Sequence, residues 1–361
     1  MDGRIEGGLM SCDSSTSHFS GARRHRGLRR LLILVLMLLL ITGSLVVDLL
    51  TGPAALSPGE VAGTIFQPSS VSRSQRIIVW SFRLPTALMG IAVGAALGLA
   101  GGQMQSVLNN RLASPYTLGV SAAAAFGAAL VIVFGSGGIG MTSSVAIPGG
   151  AFVSALGCSL VLFAIGRTQT SGSETLILVG VALHFLFSSG LALVQYTATN
   201  DALNAIIFWT FGSLQGANWQ KVGVLAIVLC GTFAVIQSKV WQLTALQLGD
   251  EYALSLGVDV GKLKLQTILV VSVLTATAVS FTGSIGFVGL VAPHLARMLI
   301  GEDQRFFIFL SAGLGALLVS IASVLCKTLV PGTVFPIGIV TAAIGSPFFA
   351  AMAIWTRRTR P

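Results

Sequence analysis

The stretch RLPTALMGIAVGAALGLAGGQMQ, from Arg83 to Gln105, carries no charge after its first residue and is long enough to cross a bilayer. About twenty apolar residues of α-helix span a hydrocarbon core. Gly90, Gly94 and Gly98 recur at every fourth position, so they share one face of a helix. Small residues on one face let a neighbouring membrane helix approach closely. The stretch therefore predicts a membrane-spanning helix packed inside a helix bundle.

The composition of the whole chain sets its environment. Of 361 residues, 54% are hydrophobic and 9% are charged, and the mean hydropathy is +0.88. Soluble domains have about a quarter charged residues, so this composition indicates an integral membrane protein. The net charge of +9 comes from basic residues at the ends of apolar runs. That pattern suits membrane insertion and anionic lipid, which excludes nucleic acid as a partner. The four cysteines lie too far apart for a disulfide framework or a metal motif, so no metal site is predicted.

Ten apolar segments are predicted to be membrane spans, with both termini in the cytoplasm because most Lys and Arg residues then lie inside. Segment 287–300 is short for a crossing, and 202–216 is typical of an interfacial or half-membrane helix. Residues 1–30 are predicted to be a disordered basic cytoplasmic tail, and 31–361 a single transmembrane domain. The fold class is thus an all-α integral membrane protein, with spans at 31–50, 84–106, 115–135, 146–166, 175–197, 219–237, 264–283, 287–300, 307–329 and 338–355.

Two features that power transport are absent from the sequence. All twelve acidic residues lie in loops or at the ends of spans, whereas an ion-coupled carrier usually keeps a carboxylate near mid-membrane. The sequence also has no G-x-x-x-x-G-K-[ST] phosphate loop. If ATP drives this protein, another chain must bind the nucleotide.

The inward loop 238–264 contains a segment typical of a short amphipathic helix. Asp250 and Glu251 provide acids for its first turn, and Gly257 provides its stop. A solvated linker is the alternative interpretation. The spacing of Glu251, Ala253 and Gly257 resembles the E-A-A-x-x-x-G loop through which membrane subunits of ATP-binding-cassette (ABC) importers contact their ATPases.

The short span 287–300 contains Pro293, His294 and Arg297. Proline lacks an amide hydrogen and disrupts a helix, which suits a broken segment held by other helices. Arg297 can then reach the inner interface or bond to freed carbonyls. A structural role is favoured, with gating or substrate contact as the alternative. His184 is a lone intramembrane histidine, either packed in the bundle or lining the pathway.

Five motifs in order make the chain from residue 83 onward resemble the FecCD-type permeases, the importers of iron-siderophore, haem and cobalamin. The motifs are RLPTALMGIAVGAALGLAGGQMQ, NNRLASPYTLGV, LGDEYALSLGV, GSIGFVGLVAPHLAR and FPIGIVTAAIGSPFF. The resemblance implies a type II ABC importer permease fold in the bacterial cytoplasmic (inner) membrane. It implies a second permease copy or a related permease, two ATPase subunits inside that bind ATP and Mg, and an external substrate-binding protein. No cofactor is expected on this chain.

The resemblance also implies roles for particular residues. The residues expected to contact the ATPase are Asp250, Glu251, Ala253 and Gly257. The residues expected to dock the binding protein are Arg83 and Lys327. The pathway and its gate are expected to involve Gln103, Gln105, Gly286, Pro293, His294, Arg297, Pro336 and Gly338.

The chain departs from the family pattern at several positions. Asn109 to Ala113 reads NNRLA where R-N-P-L-A is common, Thr86 replaces the second arginine of R-L-P-R, and Phe335 stands where a glutamate often precedes the proline. The expected function is import of an iron-siderophore chelate without enzymatic activity of its own. An ion-coupled secondary carrier or channel is the alternative, and an intramembrane enzyme is disfavoured because no nucleophile and base are clustered.

Overall fold

The computed structural model describes residues 13–358 except 55, 68, 70, 136–142, 168–172 and 330–332, and it is helical with no strand in that part of the chain. The helices are α1 Asp13–Leu50, α2 Pro58–Phe66, α3 Arg73–Arg76, α4 Leu84–Val107, α5 Val120–Phe134, α6 Ser143–Gly166, α7 Ser173–Thr197, α8 Asn200–Thr210, α9 Trp219–Ser238, α10 Val240–Leu246, α11 Asp250–Ser255, α12 Val260–Thr282, α13 Val288–Ile300, α14 Gln304–Thr328 and α15 Ile337–Arg358. A π-helical segment, Ile77–Arg83, joins α3 to α4.

Among the described residues, seven helices are long and apolar enough to cross a membrane. They contain α1, α4, α6, α7, α9, α12 and α14. The other three predicted spans correspond to shorter apolar helices, α5, α13 and α15. The predicted half-membrane segment 202–216 overlaps α8, which begins two residues earlier at Asn200 and ends at Thr210. The all-helical membrane fold is confirmed, while the count of ten crossings and the cytoplasmic termini stay predictions.

Helix α1 differs from the predicted tail. It begins at Asp13 and continues without interruption to Leu50. Residues 13–30, predicted to be disordered, are therefore helical, while 1–12 lie outside the described residues. An α-helix rises 1.5 Å per residue, so α1 is much longer than a hydrocarbon core is thick.

Helix α4 is the centre of the bundle and is mostly buried. It packs most extensively against α14. A Cβ atom added at Gly94 would lie 2.3 Å from the carbonyl oxygen of Gly315, and one at Gly98 would lie 2.3 Å from that of Ser311. Side chains at these positions would force the two backbones apart. The predicted small-residue face is thus confirmed as the contact between α4 and α14.

The π-helical segment before α4 has a local cause in Pro85. Proline has no amide hydrogen, so the carbonyl four residues earlier cannot be paired in α-helical register. The amide of Leu84 donates to the carbonyl of Val79, five residues back. The added residue in this turn changes the direction of the Arg83 side chain relative to a regular helix.

Candidate functional site

The ends of α4, α13 and α14 that are predicted to face the cytoplasm hold what we call the inner polar cluster. It comprises Gln105, Arg297, Glu302 and Arg111. The guanidinium of Arg297 donates to Oε1 of Gln105 and lies 4.9 Å above the ring of Phe307. Glu302 lies 4.0 Å from Arg297 and 3.6 Å from Arg111. The Arg297 side chain is only 10% exposed, so most of its polar contacts are made within the chain.

Pro293 explains one contact of this cluster. Because residue 293 has no amide hydrogen, the carbonyl of Gly289 has no helical donor four residues later. Nε2 of Gln105 donates to that carbonyl at 3.3 Å. The predicted packing of this segment against other helices is confirmed, whereas the predicted break is wrong, because α13 continues through Pro293 as one helix. A side chain of α4 supplies the donor for the freed carbonyl, which lets the helix continue past the proline.

Gln103 lies two residues before Gln105 in α4 and is fully buried. Its Nε2 donates to Gln304, which in turn donates to Ser106 at 2.9 Å. Oε1 of Gln103 is buried without a partner. Both glutamines contact neighbouring helices of their own chain here, and their role along a pathway stays a prediction.

The two intramembrane histidines have different surroundings. His294 is 9% exposed, on the same short helix as Pro293. His184 in α7 lies 6.4 Å from Tyr116 between ring centroids, and its buried Nδ1 has no partner. No group of three or more His, Cys, Asp or Glu residues that could hold a metal occurs in the described part of the chain.

The predicted short helix in loop 238–264 is confirmed as α11, with Asp250 and Glu251 in its first turn, while its inward position stays a prediction. Ala253 is fully buried in the main core, so it anchors α11 to the bundle. Asp250 pairs with Lys264 of α12 at 2.6 Å. The predicted stop is also confirmed, because α11 ends at Ser255 and Gly257 has a φ of +78°.

The exposed side of this region is apolar as well as acidic. We call the exposed hydrophobic side chains around α11 the inner apolar patch, which consists of Trp241, Leu248, Tyr252, Leu254 and Leu256. Glu251 is exposed beside the patch. A rigidly anchored helix with an exposed apolar and acidic surface is suited to contact another protein.

At the opposite end of the bundle, which is predicted to face outward, lies a cavity of about 380 Å³ that we call the outer cavity. Arg83, Lys327 and Phe335 are among its lining residues. Arg83 is 6% exposed and donates to the carbonyl oxygens of Leu49 and Ala54, at 2.6 and 2.5 Å. The two basic residues predicted for docking therefore share one concave site, and Arg83 also stabilises the chain after α1.

Lys327 is paired with an acid that the sequence places only at a span end. Its Nζ lies 2.9 Å from Oδ1 of Asp48, which is 1% exposed. Ser323 also donates to Oδ1 at 2.9 Å, while Oδ2 has no partner. The sequence contains one hint of a special role for Asp48, because it is the one acid between Asp13 and Glu60.

Gly338 lies where three connections of the chain meet. Its amide donates to the carbonyl of Phe211 at 3.0 Å. A Cβ atom there would lie 2.3 Å from that oxygen and 2.6 Å from the carbonyl oxygen of Ser284. Pro336 comes directly before α15 in the same connection. At Gly286, by contrast with Gly338, an added Cβ atom would have only Tyr116 within 4 Å, at 3.9 Å. Gly338 thus has a packing role, and gating by Gly286, Pro336 and Gly338 stays a prediction.

Comparison with known proteins identifies the family. The sequence model of the FecCD transport family matches residues 34–355. An ABC transporter permease protein of Methanocaldococcus jannaschii is 40% identical over 76% of this chain and 80% of its own length. The Fe(3+)-citrate import system permease protein of Bacillus subtilis is 32% identical, over 91% and 95% of the two chains.

A solved structure shows the same fold. It is an inward-facing metal-chelate type ABC transporter, with a TM-score of 0.78, 30% identity and coverage of 89% of this chain and 98% of its own. The chain belongs to the FecCD transport family. It is a multi-pass permease subunit of an ABC transporter of the cytoplasmic (inner) membrane.

Proposed function

We propose that this chain imports an iron-siderophore chelate into the cytoplasm, using ATP hydrolysed by separate subunits and cargo delivered by an external binding protein. The observation that carries the proposal is α11, a short helix anchored in the bundle with an exposed acidic and apolar surface. In a chain of this family, that surface is the expected place for an ATPase.

The anchoring of α11 supports a coupling role. Ala253 is buried in the main core, and the 2.6 Å pair between Asp250 and Lys264 joins α11 to the start of α12. Helix α12 continues through the core and packs against α4. A displacement of α11 would therefore be transmitted to the centre of the bundle through packed side chains, whereas a flexible linker would not transmit it.

The outer cavity supports docking of a binding protein. Carboxylates on the binding protein would enter the cavity and meet Arg83 and Lys327, both of which line it. Lys327 is already paired with Asp48, so an arriving carboxylate would share or replace that partner. Salt would weaken docking mainly by screening the approach of the exposed carboxylates of the binding protein, since charges attract one another through water over about 10 Å at 0.1 M ionic strength.

A second permease copy or related permease is proposed to complete the pathway, with two ATPase subunits below. Helix α7 is long and apolar, yet little of it is buried within this chain. Its exposed hydrophobic side chains include Leu178, Phe185, Leu186 and Leu193. Such a face supports the proposal of a partner helix in addition to lipid.

The cargo proposal follows the names of related permeases. These names include ferric citrate, hemin and vitamin B12. Ferric citrate is an iron chelate, and the similar solved structure is of metal-chelate type. We favour a ferric siderophore over haem or cobalamin on this basis, with selectivity residing in the binding protein.

Cargo is tested by stimulation of ATP hydrolysis. The permease is reconstituted in vesicles with its ATPase, and the binding protein is added loaded with a ferric siderophore, hemin or cobalamin. We expect the ferric siderophore complex to raise the hydrolysis rate above that given by the empty binding protein. Stimulation by hemin or cobalamin alone would overturn the cargo proposal and leave the ATP-driven mechanism in place.

A further inference from the structure

A small cavity lies where the first turns of α5 and α13 meet, beside α4 and α12, and it has no part in the proposed coupling or docking. We call it the inter-helix cavity, and its volume is about 20 Å³. Its lining includes Leu97 of α4, Ser121 of α5, Thr275 of α12 and Gly289 of α13. Among the described residues, no charged side chain lines it.

Both helices that begin beside this cavity lack a side-chain cap. The residue before α5 is Gly119, with a φ of +84°, and the residue before α13 is Phe287, with a φ of +65°. Neither residue makes the side-chain hydrogen bond that commonly satisfies an amide of the first turn. Such amides have no acceptor within their own helix. In the described part of the chain, the amide of Gly289 has no backbone acceptor outside α13 either, so the cavity lining contains a free donor.

The side chain of Ser121 is a second, independent indication of a ligand. Ser121 is 5% exposed, and its hydroxyl has no hydrogen-bond partner among the described residues. Leaving a buried hydroxyl unpaired destabilises a fold. Thr275 also lines the cavity and donates to the carbonyl of Val271 at 2.9 Å, which leaves lone pairs of its own oxygen free. The lining therefore offers both donors and acceptors.

The size and charge of the cavity favour a single water molecule as its ligand. One water needs a cavity of roughly 10–15 Å³ and about two to four polar partners. The described lining has no carboxylate that would hold a cation, and no Lys, Arg or His that would offset the cost of burying an anion. Water both donates and accepts, so one molecule can satisfy Ser121, Thr275 and Gly289 together.

We propose that the inter-helix cavity is a binding site for one structural water, which links the start of α13 to Ser121 of α5. The water accepts a hydrogen bond from the amide of Gly289 and donates to Oγ1 of Thr275, and the hydroxyl of Ser121 completes its coordination. Gly289 then has partners outside α13 for both of its backbone groups, because its carbonyl accepts from Gln105 at 3.3 Å. A short helix in a membrane bundle needs such partners, since lipid supplies none.

The direct test is a structure of the purified full-length permease in detergent, at a resolution that shows ordered waters. Wild type is expected to show a density peak within hydrogen-bonding distance of Oγ of Ser121 and the amide of Gly289. S121A should weaken or lose this peak. A wild-type map that shows other buried waters but none here would overturn the proposal. Replacement of the peak by bromide on soaking would also overturn it, because the site would then bind an anion.

Thermal unfolding in detergent gives an independent test with S272A as the matched control. Oγ of Ser272 in α12 is buried without a partner, and Ser272 does not line the cavity. S121A removes a hydroxyl that bonds to the water and should lower the unfolding temperature by about 1–3 °C. S272A removes an unpaired hydroxyl and should leave that temperature unchanged or raise it. Both variants exchange Ser for Ala within a helix, so they share the gain in helix propensity. An S121A protein as stable as S272A, or more stable, would contradict a bound water.

Discussion

Nε2 of Gln105 donates to the carbonyl oxygen of Gly289, 3.3 Å away, and this is the carbonyl that Pro293 deprives of its helical donor. A side chain of α4 thereby completes the hydrogen bonding of α13. The same glutamine accepts a hydrogen bond from Arg297. The proline, the glutamine and the arginine thus act together to hold a short helix inside the membrane.

This arrangement predicts coupling between Gln105 and Pro293 in stability. Q105A removes the donor from a buried carbonyl and should lower the free energy of unfolding by about 1–3 kcal/mol. In a P293A background residue 293 has an amide hydrogen for Gly289, so Q105A should cost less. The four proteins of this cycle are wild type, Q105A, P293A and Q105A/P293A. They are compared by the temperature at which each unfolds in detergent.

R297M is the control for that cycle. It removes the other contact of Gln105 but leaves the donor to Gly289 in place. We expect its cost to be the same in the wild-type and P293A backgrounds. Equal costs of Q105A in both backgrounds would show that Gln105 does not compensate for the proline.

Gly257 should be required for coupling. Its φ of +78° is strained for a residue with a side chain, although no atom lies within 4 Å of an added Cβ. G257V should therefore cost about 1–3 kcal/mol locally, leave the protein in the membrane and abolish ATPase stimulation by the loaded binding protein.

G257N provides the comparison, because asparagine adopts positive φ more readily than valine. It should retain more of the stimulated activity. G261A alters a neighbouring glycine without positive φ and should behave like wild type. Full substrate-stimulated hydrolysis in G257V would contradict the assigned contact.

The Asp48 and Lys327 pair should be strongly interdependent. K327M leaves the buried carboxylate of Asp48 without its cation, at a cost of about 3–5 kcal/mol. D48N/K327M removes both charges and should recover most of that stability. Thermal unfolding in detergent measures the difference, and equal stability of K327M and D48N/K327M would argue against a buried ion pair.

The same variants separate folding from docking. D48N/K327M is expected to fold but to bind the external binding protein several-fold more weakly, because the ammonium group of Lys327 is lost from the cavity lining even though the net charge of the pair is unchanged. The affinity of the wild type should also fall as salt increases. An unchanged, salt-independent affinity would remove Lys327 from the docking surface.

The contact between α4 and α14 predicts a steric effect. G94L places a side chain where even a Cβ would lie 2.3 Å from Gly315, so overpacking should cost about 1–3 kcal/mol or more. G223L is the control in α9, where an added Cβ has no neighbour within 4 Å. Similar melting temperatures for the two variants would contradict close packing of α4 on α14.

Features set by local sequence were predictable, whereas contacts between distant segments were not. The glycine spacing of α4, the short span that contains Pro293 and the acidic start of α11 each follow from residues near one another in the chain. The bond from Gln105 to Gly289 and the pair of Lys327 with Asp48 join residues 184 and 279 positions apart. Spacing along the sequence carries no signal for such partners, so Asp48 was placed only at a span end.

The helical start at Asp13 was missed for a related reason. A polar, basic composition suits a disordered segment when judged alone. The segment is continuous with a membrane helix, however, and an existing helix extends without a new nucleation cost. Tertiary contact at Arg30 with Asp303 then anchors its inner end.

The energy source of uptake tests the central claim most directly. The permease and its ATPase are reconstituted in vesicles, with ATP inside and the loaded binding protein outside, and accumulation of a radiolabelled ferric siderophore is measured. We predict uptake that requires both the internal ATP and the external binding protein and that is unaffected when proton and sodium gradients are collapsed. Accumulation driven by a proton or sodium gradient without ATP would contradict the account and indicate a secondary carrier.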